Sequence, residues 1–189
     1  MIATVISFTG ALLLGLAGLV APILADLTNG WGPGGPGGPP SPVTVPLSDA
    51  ETAGLVFMRE EEKLARDVYL EMYDLWELPV FRNIARAEQA HMNAVGRLIT
   101  RYGLTDPVGN NPRGVFANPE LQAMYDELVA RGRQSAAEAL QVGVDIETAD
   151  IADLRDALAD VAHSDIARVY GNLLRGSERH LAAFSRYLP

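Results

Sequence analysis

The six residues Ala87-Glu88-Gln89-Ala90-His91-Met92 place a carboxylate and an imidazole three positions apart, which on a helix is a single face. Around them Ile84, Glu88, His91, Val95, Leu98 and Tyr102 recur at alternating spacings of four and three. That rhythm is the inward stripe of an amphipathic helix, so Glu88 and His91 stand where the stripe should be apolar. A buried carboxylate needs a counter-charge, and a metal ion is the partner that best explains Glu-x-x-His in such a place.

Three other stretches carry the same rhythm. Ser48-Asp-Ala-Glu51 reads as a capping box opening a first helix that ends near Leu78-Pro79, with the seam Leu55, Met58, Glu62, Ala65, Tyr69, Met72 and Trp76. The helix holding Glu88 spans about 80–102, and Gly103 stops it. After a loop rich in Gly, Pro and Asn, Asn118-Pro119-Glu120 caps a short helix reaching Val129 or Arg131. Ser135-Ala-Ala-Glu138 is a second capping box, and its helix carries Leu140, Val144, Glu147, Ile151, Leu154, Leu158 and Val161. Two readings are open there: one continuous helix, or a break with Asp150 capping a new one. Ser164 caps the last helix, with the seam Ile166, Tyr170, Leu173, Ser177, His180, Phe184 and Tyr187. No strand-period run of useful length and no solenoid repeat is visible. The expected fold is all-α, an antiparallel four-helix bundle with an extra short helix, over residues 48–189.

The bulk composition narrows the chemistry. A formal net charge of −9, with 15 Lys and Arg scattered among 24 Asp and Glu, excludes a nucleic-acid binder. The chain has no cysteine, which removes disulfides, iron–sulfur clusters, thiolate zinc sites and thiol nucleophiles. Its only imidazoles are His91, His163 and His180. Residues 2–25 bear no charged side chain, so 1–28 reads as a signal peptide, with cleavage after Ala25, or as a membrane anchor. Residues 29–47 are a Gly/Pro-rich linker that sustains neither helix nor central strand. The expected location is extracytoplasmic, secreted or anchored.

Each long seam is interrupted by polar residues at mid-height: Glu62, then Glu88 and His91, then Glu147, then Ser177 and His180. Taken singly these have bland explanations. Glu62 would pair with Arg66 on a wet face, as its neighbours Glu60 and Glu61 are expected to do, and a lone buried histidine is a hydrogen-bonded core residue. Four independent interruptions at one depth weigh against that, because three buried carboxylates repel one another unless cations sit between them. Three carboxylates and two imidazoles suit a pair of first-row metal ions, iron or manganese. Tyr69 and Tyr170, on the seams one to three turns from these positions, have two readings, a part in ordering or relaying protons or ordinary core tyrosines, of which the second is favoured.

Glu62-Lys-Leu-Ala-Arg-Asp-Val-Tyr69 resembles the first ligand helix of rubrerythrins, and Ala87-Glu-Gln-Ala-His91 their second-helix Glu-x-x-His. More closely, residues from about 50 to 188 resemble the ferritin-like family known as domain of unknown function 2202. The resemblance lies in Arg59-Glu-Glu-Glu-Lys-Leu-Ala-Arg-Asp-Val-Tyr69, Asp150-Ile-Ala-Asp-Leu154 and Leu174-Arg-Gly-Ser-Glu-Arg-His180. It implies a ferritin-like bundle with Glu62, Glu88, His91, Glu147 and His180 at ligand positions. Ser177 departs from it, standing where a second Glu-x-x-His would have its glutamate. Asp150, one turn after Glu147, is either the replacement carboxylate, since the third helix of rubrerythrins carries two, or a helix cap.

Such a site would hold two ions, iron first and manganese second, and would act on peroxide or dioxygen or oxidise ferrous iron. A peroxidase would need an external electron donor, because no cysteine-bound iron accompanies the site. The other partners this reading admits are a second copy in a homodimer and a membrane, if 1–28 stays uncleaved. The competing class is a surface-tethered helical binding or structural module with a degenerate or empty site.

Overall fold

The structure is a computed structural model that describes residues 45–188. The apolar segment 1–28 and the linker up to residue 44 lie outside the described residues, so the expectations for them are not addressed by the fold. The described residues form five helices and no strand: α1 (Asp49–Trp76), α2 (Pro79–Arg101), α3 (Pro119–Gly132), α4 (Ala136–Asp160) and α5 (Ser164–Ser185). None of these helices is long and apolar enough to cross a membrane.

The helix ends follow local chemistry. Ser48 and Glu51 form the reciprocal capping box of α1, and Glu77 closes the helix in the left-handed conformation at φ 53°. Pro79 then opens α2 in the first helical turn, where its missing N–H costs nothing. Asn118 accepts from the Glu120 and Leu121 amides to start α3. At α4 only half of the expected box forms: Ser135 accepts from the Glu138 amide, while the Glu138 carboxylate faces Arg131.

Of the two readings open for α4, the continuous helix is the one observed: it runs unbroken through Asp150, which is therefore not a cap. One expectation needs correction. Ser164 does not cap α5; the N-cap is His163, and its side chain makes no capping bond. The carboxylate of Glu51, reaching over from α1, accepts from the Ala162 and His163 amides at 3.0 Å each and does that job instead.

α1, α2, α5 and α4 pack in a closed ring, and α3 lies against α1 and α4. Two apolar clusters set the helix directions. One gathers the first half of α1 (Leu55, Met58), the end of α2 (Val95, Leu98, Ile99), Leu154 near the end of α4, and the start of α5 (Ile166, Tyr170). The other joins the second half of α1, the start of α2, α3, the start of α4 and Phe184 at the end of α5. Neighbours around the ring therefore run antiparallel, and α2 and α4 run the same way. That forces the 102–135 connection, with α3 inside it, to travel the length of the ring.

Buried and half-buried charges on α1 hold this long connection. Glu60 accepts from the Ala117 and Asn118 amides at 2.6 and 3.0 Å. Lys63, fully buried, donates to Asp67 and to the Pro112 carbonyl and lies 4.4 Å over the Phe116 ring. Arg59 pairs with Asp106 at 2.9 Å. Glu60 thus sits on no wet face, contrary to the expectation from its charge, because the backbone of the crossover supplies its donors.

Candidate metal centre

Between the two apolar clusters the ring holds a polar layer. Helical spacing puts Glu88 and His91 on one face of α2, with His91 Nδ1 2.8 Å from Glu88 Oε2. The same nitrogen lies 3.2 Å from Glu62 Oε2 on α1. On the other side of Glu88, its Oε1 stands 2.7 Å from His180 Nδ1 of α5, and that nitrogen is 3.6 Å from Glu147 Oε2 of α4. The two imidazoles face each other with ring centroids 5.6 Å apart. Two donor groups result, Glu62–Glu88–His91 and Glu88–Glu147–His180, each with its ligand atoms within 4.8 Å and each able to hold a metal ion. Glu88 belongs to both.

The expected residues are thus brought together, and Glu62 does not pair with Arg66, which goes to Asp67 and Gln89. Asp150 is buried and lines the same small cavity as Glu61, Glu62, Glu88 and Glu147, although it belongs to neither donor group. Ser177, whose hydroxyl donates to the Leu173 carbonyl at 3.1 Å, lies near Asp150, so where α5 lacks a carboxylate, α4 presents one across the gap.

Several buried atoms here lack what a protein side chain could give them. Glu62 Oε1, Glu88 Oε1, Asp150 Oδ1 and His180 Nδ1 have no hydrogen-bond partner, the 2.7 Å approach of His180 to Glu88 being off-line. Unpaired buried acceptors are costly, and convergent ones fit a cation. Burial and the charges of Asp150 and Glu88 push Glu62 well above the carboxylate range, against the pull of His91. Burial, then repulsion from Glu88, lifts Glu147 to about 8. Burial opposes ionisation of Glu88 too, but the imidazoles of His180 and His91, 2.7 and 2.8 Å from its two oxygens, hold it at about 2. Against their own burial, His91 rises to about 11 through Glu62 and Glu88, and His180 to about 9 through Glu147 and Glu88. Without a metal ion, protons on the imidazoles are the counter-charge of this layer.

Three residues act here that the seams alone did not single out. Tyr69, fully buried, donates to Glu147 Oε1 at 2.7 Å, so it orients that carboxylate and is more than core filling. Tyr170 does lie in the apolar cluster, with an unpartnered hydroxyl. Gly176 makes room for His91: a Cβ there would stand 2.6 Å from its ring. Glu61 is buried on the cavity wall and makes no surface pair. A second stripe, Glu61, Ala65, Val68 and Met72, marks it as inward, but only once α1 is known to bury two adjacent faces.

Over the described residues, fold and site together define a helical protein with a buried carboxylate–imidazole layer whose groups could hold metal. The chain belongs to the family described as an uncharacterized protein domain, DUF2202, whose model matches residues 51–189. It is 50% identical over 143 residues to the uncharacterized protein MJ0754 of Methanocaldococcus jannaschii, a match spanning 76% of this chain and 77% of the relative. The crystal structure of hypothetical protein MJ0754 from Methanococcus jannaschii DSM 2661 matches with a TM-score of 0.75 at 49% identity, over 78% of this chain and 85% of that one. Of the resemblances read from the sequence, the one to domain of unknown function 2202 is borne out.

Proposed function

We propose that this protein is a ferritin-like four-helix bundle binding two first-row metal ions, iron or manganese, and that it reacts with peroxide or dioxygen or oxidises ferrous iron. The observation carrying this reading is Glu88, whose two oxygens address two separate carboxylate–imidazole groups as a bridging ligand would. The helix order adds support, since one long crossover joining two antiparallel pairs is the ferritin arrangement. Glu62, Glu88 and His91 would hold one ion; Glu88, Glu147 and His180 the other, with Asp150 beside them. Bound there, ions that alternate between +2 and +3 states would supply the electrons for the reaction. The chain's own part is to hold the ligands, through Tyr69 on Glu147 and Gly176 behind His91, and to shield the layer between two apolar clusters.

Export through residues 1–28 belongs to the same proposal, and so do an external electron donor and a homodimer. Ser177 favours a second reading, a tethered helical module with an empty site. Metal analysis separates them. The whole chain, loaded anaerobically with ferrous iron or with manganese, is expected to retain at least the two ions of this layer. Glu88→Ala is expected to lose them, and peroxide consumption with them. A wild-type chain that keeps no metal would end the redox reading.

A further inference from the structure

Glu61 is the one acid in the Glu60–Glu62 run without an evident occupation. Glu60 holds the crossover backbone and Glu62 faces His91. Glu61 is 3% exposed, it lines the cavity, and neither of its carboxylate oxygens meets a donor. What it does meet is Asp153 on α4, carboxyl against carboxyl, and Asp153 Oδ2 likewise has no donor. Two acids in contact, with no protein donor between them, require a shared proton or a cation.

The setting favours a cation. Along α4 the acids Glu147, Asp150, Asp153 and Asp156 follow at intervals of three. Each such step turns the side chain by about 60°, so the row winds around the helix instead of staying on one face. Its members accordingly pass from buried (Glu147, Asp150) through half-buried (Asp153) to exposed (Asp156). Glu61 stands where this row crosses from solvent into the interior. A line of one sign, ending on unpartnered oxygens beside the two-metal pocket, attracts cations and delivers them inward.

We propose that Glu61 and Asp153 hold a further divalent cation, at a station on the access route to the Glu62–Glu88–Glu147 pocket; its role as a station rests on the two-metal reading. The donors are oxygen only, which suits a hard, partly hydrated ion such as Mn²⁺ or Fe²⁺.

The test is the ion count of the whole chain, stripped with chelator and titrated with Mn²⁺. Glu61→Gln is expected to hold one ion fewer than wild type, keep the ions that Glu88→Ala loses, and fill the pocket about tenfold more slowly. Asp153→Asn, at a half-buried position, reads the same ion should Glu61→Gln misfold. Equal counts in wild type and in these variants overturn the proposal and leave an acid pair sharing a proton. An unchanged count in Glu88→Ala refutes the pocket instead, whichever way the Glu61 comparison falls.

Discussion

Gly176 shows how a residue with no side chain shapes the site. An added methyl would lie 2.6 Å from His91 Cε1 and Nε2, the far end of a movable side chain and not backbone. In Gly176→Ala the imidazole gives way, and His91 Nδ1 leaves Glu88 and Glu62. The fold itself should barely notice, because alanine gains about 1 kcal/mol of helix propensity against a clash of similar size. The expected outcome is unchanged thermal unfolding of the stripped protein with Mn²⁺ affinity down by about tenfold or more, read by titration. Affinity equal to wild type would show that the ring position does not matter. Glu88 and His91 were legible from spacing alone, whereas Gly176 was not: a glycine in a helix says nothing until the ring it accommodates is in place. For Tyr69 the sequence favours the core reading over an ordering role for a related reason, since its seam position is that of any core tyrosine and only the approach of Glu147 distinguishes it.

At the scale of elements, periodicity carried most of the fold. The seams of α1, α2, α4 and α5 sit inward nearly as drawn, the main exception being Tyr187, half exposed beyond the end of α5. What periodicity could not supply is any interaction between distant segments. Glu60 and Glu61 read as surface charges because one stripe was drawn on α1 where the ring buries two. Ser164 read as a cap because the true acceptor, Glu51, is more than a hundred residues away. That contact makes a prediction. Burial works against the Glu51 charge, yet hydrogen bonds from Ser48, His163 and Ala162 lower its pKa from 4.5 to about 2. A depressed carboxylate contributes stability that is fully present above about 4.5 and lost as pH falls towards about 2. Glu51→Gln should therefore cost on the order of 2–3 kcal/mol at neutral pH, with the deficit shrinking below about pH 4.5. Urea unfolding of both proteins across that range checks it, and a deficit independent of pH would assign the contact no electrostatic part.

For the whole molecule, the polar layer makes stability and metal binding one problem. Four of its groups take up protons more readily in the folded chain than their ordinary values of 6.5, 4.5 and 3.8 allow: His91 at about 11, His180 at about 9, Glu147 at about 8 and Asp150 at about 7. For the carboxylates the main cause is burial; for the imidazoles it is the acids they face, which outweigh burial. All four shifts have the same sign. The folded, metal-free chain binds more protons than the unfolded one from about pH 4.5 to 11, so its stability falls as pH rises through that window. Glu88, held at about 2, acts in the opposite sense only below that window. A metal ion takes the place of these protons, so its binding releases them and tightens as pH rises. The melting temperature of chelator-stripped protein should therefore decline between about pH 5.5 and 8.5, while that of manganese-loaded protein stays nearly level and the gap widens. Calorimetry of both forms at three pH values reads the gap directly. A gap that stays constant or narrows would mean that the ions bind away from His91 and His180, and the mid-height layer would then be only a protonated polar core.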